Sequence, residues 1–285
     1  MTPLLDLGSR KLWRALGRPV DLVDEHRWLR APTSAAAVVR DGWLDAEAAL
    51  HDGYVDEAAP GAGLLASMAL LDGPGFVVDD LAPEVRDFYE HTADWRVEVW
   101  SSWAPWAWPG GELVSRLFGR RVEQLALPMR PLDVAHGMDS RVSVIRDPAG
   151  QQVAAGWLRT LRATGGFVFS GCYSARTLPG ADRPSVHVAF PLESGNVQVF
   201  LRPRVLPDGS FRLDSPPGPF GADGAYVVVE DGGRTHASRA PVHESFHVYL
   251  DERGVLRTDH ELRMWGATAM RLHYKLERDG GHEKA

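Results

Sequence analysis

The spacing of apolar residues changes once along this chain. From about Asp139 onward, hydrophobic and polar positions alternate in short runs separated by turn-forming residues. RVSVIRD and QQVAAGWLRTLR flank Asp147-Pro148-Ala149-Gly150, and GFVFSGCYSAR follows. SVHVAFPL and NVQVFLRPRV flank Glu193-Ser194-Gly195, and Val205 and Phe211 flank Pro207-Asp208-Gly209. AYVVVED, SFHVYLD, VLRTDHELRMW and ATAMRLHYKLE complete the series. In the last of these, Met270, Leu272, Tyr274 and Leu276 share one parity and Arg271, His273, Lys275 and Glu277 the other. A period of two puts alternate side chains on opposite faces of a strand. Loops this short join antiparallel neighbours. The pattern predicts roughly nine or ten antiparallel strands, each with one inward face, curling or closing to hide their edges.

The first ~130 residues carry helix-like spacing instead. Leu4, Leu5, Leu7, Leu12, Trp13 and Leu16 mark a short amphipathic helix, and a weaker one is expected around Leu44–His51. GAGLLASMALLDG reads as a short buried helix stopped by Gly73-Pro74-Gly75. The strongest helical pattern runs from Pro83 to Ser102, with Asp79 or Asp80 as cap and Val85, Phe88, Tyr89, Thr92, Trp95, Val99 and Trp103 on one face. A further helix is expected over 111–125, with Arg116, Arg120 and Arg121 on its polar side. The fold class expected is therefore α+β. A helical, Trp-rich region (1–130) caps a C-terminal antiparallel β-barrel or strongly curved sheet (131–285), the two forming two domains or one. The junction near Pro128–Pro131 is the only plausible boundary.

Composition narrows the functional classes. Ordinary apolar and charged fractions at 285 residues describe a globular protein with a sizeable core. A net charge of −7 argues against a general nucleic-acid binder. The single cysteine, Cys172, excludes an internal disulfide and a cysteine zinc cluster. The opening residues lack the apolar run of a signal peptide, and no apolar run reaches the length of a membrane-spanning helix. A cytoplasmic location is the expectation.

Candidate chemistry is sparse. His243-Glu244-Ser245-Phe246-His247 matches H-E-x-x-H, in which two histidines one helical turn apart bind zinc and the glutamate activates water. The segment follows Pro241 and alternates Phe246, Val248 and Leu250 against His247 and Tyr249, which is a strand pattern. Residues four apart in a strand are separated by ~13 Å, too far for one ion. A zinc hydrolase with ligands His243 and His247 and base Glu244 is thus an alternative that needs a helix here. Cys172 reads as a small core residue, and Arg202 and Arg204 as an exposed strand face. The acidic pairs Asp24-Glu25, Asp56-Glu57 and Asp79-Asp80 sit where capping and solvation account for them. Nothing in the sequence calls for a cofactor or a nucleotide: there is no phosphate-binding loop, nucleophile elbow or dinucleotide fingerprint.

The tryptophans remain. Five of the ten, Trp95, Trp100, Trp103, Trp106 and Trp108, fall in WRVEVWSSWAPWAWPGG. They suit core anchors, a lid over a barrel mouth, or a foot in a membrane interface. The leading expectation is binding, with or without chemical conversion, of an apolar small molecule inside the sheet. Its expected contacts are Trp100, Trp103, Trp106, Trp108, Tyr89 and His91. The runner-up is a peripheral membrane scaffold contacting the surface through the Trp/Arg segment 95–121. Oligomeric state does not follow from the sequence.

Overall fold

The structure is a computed structural model that describes residues 4–34, 36, 38–57, 59–107, 137–162 and 164–279. Three α-helices occur among the described residues: α1 (Leu4–Leu16), α2 (Leu44–Ala49) and α3 (Pro83–Glu90). The strands are β1 (Arg18–Pro19), β2 (Tyr54–Asp56), β3 (Trp95–Trp103), β4 (Met138–Arg146), β5 (Gln152–Leu161), β6 (Phe167–Thr177) and β7 (Pro184–Leu192). They continue as β8 (Gly195–Val205), β9 (Phe211–Asp214), β10 (Gly224–Asp231), β11 (Arg234–Arg239), β12 (Val242–Leu250), β13 (Leu256–Met264) and β14 (Ala267–Arg278). The protein is mostly antiparallel sheet with few helices.

The hairpins form where the turn chemistry lies. Asp147 accepts the amides of Ala149 and Gln151 at 2.9 Å each, and Gly150 takes φ +79° to close β4 onto β5. Asp251 does the same for Arg253 and Val255 between β12 and β13. The strands order as β2-β4-β5-β6-β7-β8-β9-β12-β13-β14-β3. At β8 the sheet forks. The first half of β8 pairs with β10, which carries β11 and β1, while its second half pairs with β9 and leads on to β12.

Four expectations are corrected. Among the described residues the sheet has 14 strands rather than nine or ten. It is an open path, not a closed barrel: β3 comes alongside β4, and among the described residues no ladder joins them. The segment 83–102 is not one helix. It is α3, then a tight turn (Thr92–Asp94), then strand β3 paired with β14. In that strand Trp95, Val97 and Val99 are buried while Arg96, Glu98 and Trp100 are exposed. Trp95, Val99 and Trp103 lie four apart, and that spacing keeps one face in either period. Here the alternation between them and the pairing offered by β14 decide for a strand. Residues 61–71, expected as a helix, are bends ending in a single 3₁₀ turn at Met68–Leu71. The reading of 111–125 lies outside the described residues.

The sheet bends so far that its two ends share one core. Val97 of β3 and Val144 of β4 belong to the same cluster as Val188, Leu201, Val227 and Leu276. Residues 62–89 pack into part of this concave face, with Leu64, Met68, Phe76 and Phe88 buried there. The convex face is covered separately by residues 28–48. Trp43 and Leu44 sit on Gly156, where a Cβ would lie 2.5 Å from Leu44 Cδ2 and 3.3 Å from the Trp43 ring. Glycine is what lets the two layers approach.

Candidate functional site

The part of the concave face not filled by residues 62–89 leaves a cavity of about 150 Å³. It is walled by strands from both ends of the order and by α3, and strand parity decides who faces it. From β14 come Met270, Leu272, Tyr274 and Leu276, the four residues that share one parity in the sequence. From β12 come Glu244 and Phe246; from β13 Thr258, His260 and Leu262; from β5 Trp157 and Arg159; from β6 Phe169 and Tyr173. Gly171, between those two β6 rings, leaves room for them: a Cβ there would sit 3.0 Å from Phe169 and 3.4 Å from Phe190.

Most of this wall is apolar, so its polar members stand out. Arg159 is 6% exposed. Its guanidinium lies 5.4 Å from the Trp157 ring and 5.8 Å from the Tyr274 ring, and it interacts with the Tyr274 hydroxyl. Nη2 is 3.8 Å from the Met138 sulfur, a weak acceptor, and Nε has no partner. Burial pulls the guanidinium below its ordinary range, yet arginine stays charged in proteins. Burial pushes the phenols the other way. Tyr274 is raised to about 12, and Tyr89 and Tyr173 are also raised, so all three are neutral donors. On another part of the wall His260 stacks on Phe246, its cross-strand neighbour, at 3.8 Å. Its Nε2 lies 3.5 Å from Glu244 Oε1, and neither ring nitrogen has a hydrogen-bond partner.

Of the residues expected to line such a pocket, Tyr89 does. Trp103 is half-buried beside Met270 and Leu272 without reaching the cavity wall, and its indole N–H has no partner. Trp100 and Trp106 are exposed; Trp100 packs against His273, and Trp106 donates to the Thr268 carbonyl at 3.1 Å. His91 points to solvent and pairs with Asp87 at 3.1 Å. Trp108 lies outside the described residues. Trp100 misses the cavity because β3 is a strand, which sends it to the face opposite Val97 and Val99. Sequence reasoning missed Arg159, and it weighed His260 only as a third zinc ligand, not as a wall residue of the cavity. The available signal was parity: His260 stands between Thr258 and Leu262 on an otherwise inward face, and Arg159 shares the face of Trp157.

The H-E-x-x-H segment is strand β12, and it divides its three functional residues between two faces. Glu244 faces the cavity. His243 engages the Ser215 carbonyl at 3.0 Å and His247 the Ser210 hydroxyl at 2.9 Å, both on the other face. The helical arrangement that zinc binding needs is absent from this segment. Among the described residues no group of three or more His, Cys, Asp or Glu is placed to hold a metal ion. Cys172 is buried against the convex layer, where burial raises its thiol well above the ordinary range. Arg202 pairs with Asp223 and Arg204 with Asp214 on the surface.

No family model matches this chain, and no solved structure matches it. It is 23% identical over 217 residues, 75% of its length, to the uncharacterized membrane protein YndJ of Bacillus subtilis (strain 168). The matched stretch is 38% of that protein, so this chain resembles a part of a larger relative. Among the described residues no helix is long and apolar enough to cross a membrane.

Proposed function

We propose that this protein binds an apolar small molecule in the cavity on the concave face of its sheet. One observation carries the reading: a cavity of about 150 Å³ with a mostly apolar wall. A cavity of that size and lining admits benzene in a well-studied protein interior. Few polar groups reach the wall, which is the usual composition of a small-molecule site. The test is titration with toluene, followed by calorimetry and thermal shift. Saturable binding is expected, together with its loss in Val188→Phe, which fills the space, while far-ultraviolet circular dichroism stays unchanged. Absence of saturable toluene binding to the wild-type protein would end this reading.

A second reading, contact with a membrane surface, is favoured by a separate observation. Trp100, Trp106 and Trp265 are 50%, 53% and 73% exposed. Trp265 occupies the tip of the β13–β14 hairpin at φ +49°, a region bulky residues seldom adopt. Trp106 reaches the same hairpin through Thr268. The exposed indoles of Trp106 and Trp265 at this hairpin suit the interfacial zone of a bilayer, and the larger relative is named a membrane protein. Flotation with liposomes should fall sharply in Trp106→Ala/Trp265→Ala. Flotation that is absent, or unchanged by the double substitution, would exclude this contact.

A further inference from the structure

We propose that the cavity's ligand is a carboxylate with a small apolar body, an arene or short aliphatic acid, whose headgroup seats on Arg159. This deepens the cavity reading above and rests on it.

Arg159 is a buried charge without a counter-charge among the described residues. Arg159 is more than nine-tenths buried, and no carboxylate lies within ion-pair distance of its guanidinium among the described residues. Its Nε–H has no acceptor. The two aromatic faces and the Met138 sulfur are weak compensation for a cation out of water. A leucine or methionine would fill this position without that penalty, so packing alone does not explain an arginine here. A guanidinium offers parallel N–H groups in a fixed fork that matches the two oxygens of a carboxylate. Tyr274 adjoins the guanidinium, and Tyr173 is close enough to feel its charge. As neutral phenols, both retain a hydroxyl able to donate to an anion.

The rest of the wall fixes the body of the ligand and its direction. Apart from this cluster, most of the cavity contacts are hydrocarbon, and the volume suits a single ring. Glu244, the acidic member of the wall, lies by His260 at 3.5 Å, and its charge is felt by Tyr173 and Tyr274 as well. Arg159 is the cation of the wall that an anion can pair with. The ligand is therefore held by its charge at one end and by apolar contact over the remainder, which discriminates acids from neutral molecules of equal shape.

Benzoate, benzyl alcohol and toluene separate the possibilities by calorimetry on the wild-type protein at neutral pH. Benzoate is expected to bind about tenfold or more tighter than benzyl alcohol, the gain of a charge-assisted pair over a neutral one. In Arg159→Met that preference should vanish or invert while toluene still binds; Arg159→Lys should keep part of it. Toluene binding with no benzoate preference in the wild type overturns the headgroup assignment and leaves the cavity reading standing. A preference that survives in Arg159→Met overturns it equally. Binding of none of the three removes both. The wild-type comparison decides the matter even where a variant fails to fold.

Discussion

Two buried polar clusters, one on each face of the sheet, are built differently. On the convex side, His187 bonds Ser174 at 3.0 Å through Nδ1 and Gln198 at 2.9 Å through Nε2. Gln198 in turn donates to the Leu29 carbonyl and to Asn196, each at 2.9 Å. Asn196 donates toward Ala31 and Pro32, Arg176 holds the carbonyls of Trp28 and Arg30, and Trp43 donates to Ser170 at 2.9 Å. His187 joins β6, β7 and β8, and the bonds from Gln198, Asn196, Arg176 and Trp43 tie residues 28–43 to the strands beneath them. On the concave side, Arg159 and His260 are also buried and keep open valences, as Glu47 Oε2 and Ser143 Oγ do in the convex layer. A buried polar network with its partners in place specifies structure; buried polar groups without partners cost stability and need another explanation. Burial alone does not separate the two cases. Counting partners does.

The largest break in this contrast should come from the convex side. Trp43 is fully buried and touches the sheet at a glycine, so Trp43→Ala should lower unfolding free energy by about 3–5 kcal/mol in urea titration. Toluene affinity of the folded fraction should hardly move. Gln198→Leu comes next. It strands the His187 ring, the Asn196 carbonyl and the Leu29 carbonyl, with an expected loss of about 2–3 kcal/mol by the same measurement.

The concave side should respond with the opposite sign. Arg159→Met removes an uncompensated buried charge, and a gain of about 1–2 kcal/mol is expected in the absence of ligand. A loss as large as that of Gln198→Leu would make Arg159 a structural residue and erase the comparison. The smallest effect is one of pH. Burial first, then the nearby Arg176 charge, hold His187 well below its ordinary value of 6.5. The unfolded chain therefore takes up a proton that the folded chain refuses. Stability is complete above about pH 6.5 and declines as pH falls below it, by at most about 1.4 kcal/mol per pH unit. Urea midpoints at pH 7.5 and 5.5 should show this dependence in the wild type and a weaker one in His187→Gln.

Much of the second half was legible. Each of the alternating segments from RVSVIRD to ATAMRLHYKLE is a strand, and the four residues of shared parity in the last one do line the cavity. The strand reading of His243–Leu250 also held, because Phe246, Val248 and Leu250 alternate plainly there. The Trp95–Trp103 segment was misread because its largest residues sit at spacings that both periods allow. Strand β11, Arg234–Arg239, escaped because RTHASR lacks a run of large apolar residues; it exists by pairing with β10. Among the expected contacts Tyr89 reached the cavity, whereas Trp100, Trp106 and His91 face solvent.

Local sequence determined the extended segments, their turns and the sorting of side chains into two faces, because alternation and Asp/Gly turn chemistry act over a few residues. Which face became the inside of a cavity, and which became a seat for residues 28–48, was decided only when distant strands came together. Several strands are buried on both sides, as in Ala154–Leu158, so alternation there is silent about direction. The fork at β8, the packing of residues 62–89 into the bend and the isolation of Arg159 all depend on contacts between positions far apart in the chain. No short window of sequence contains them.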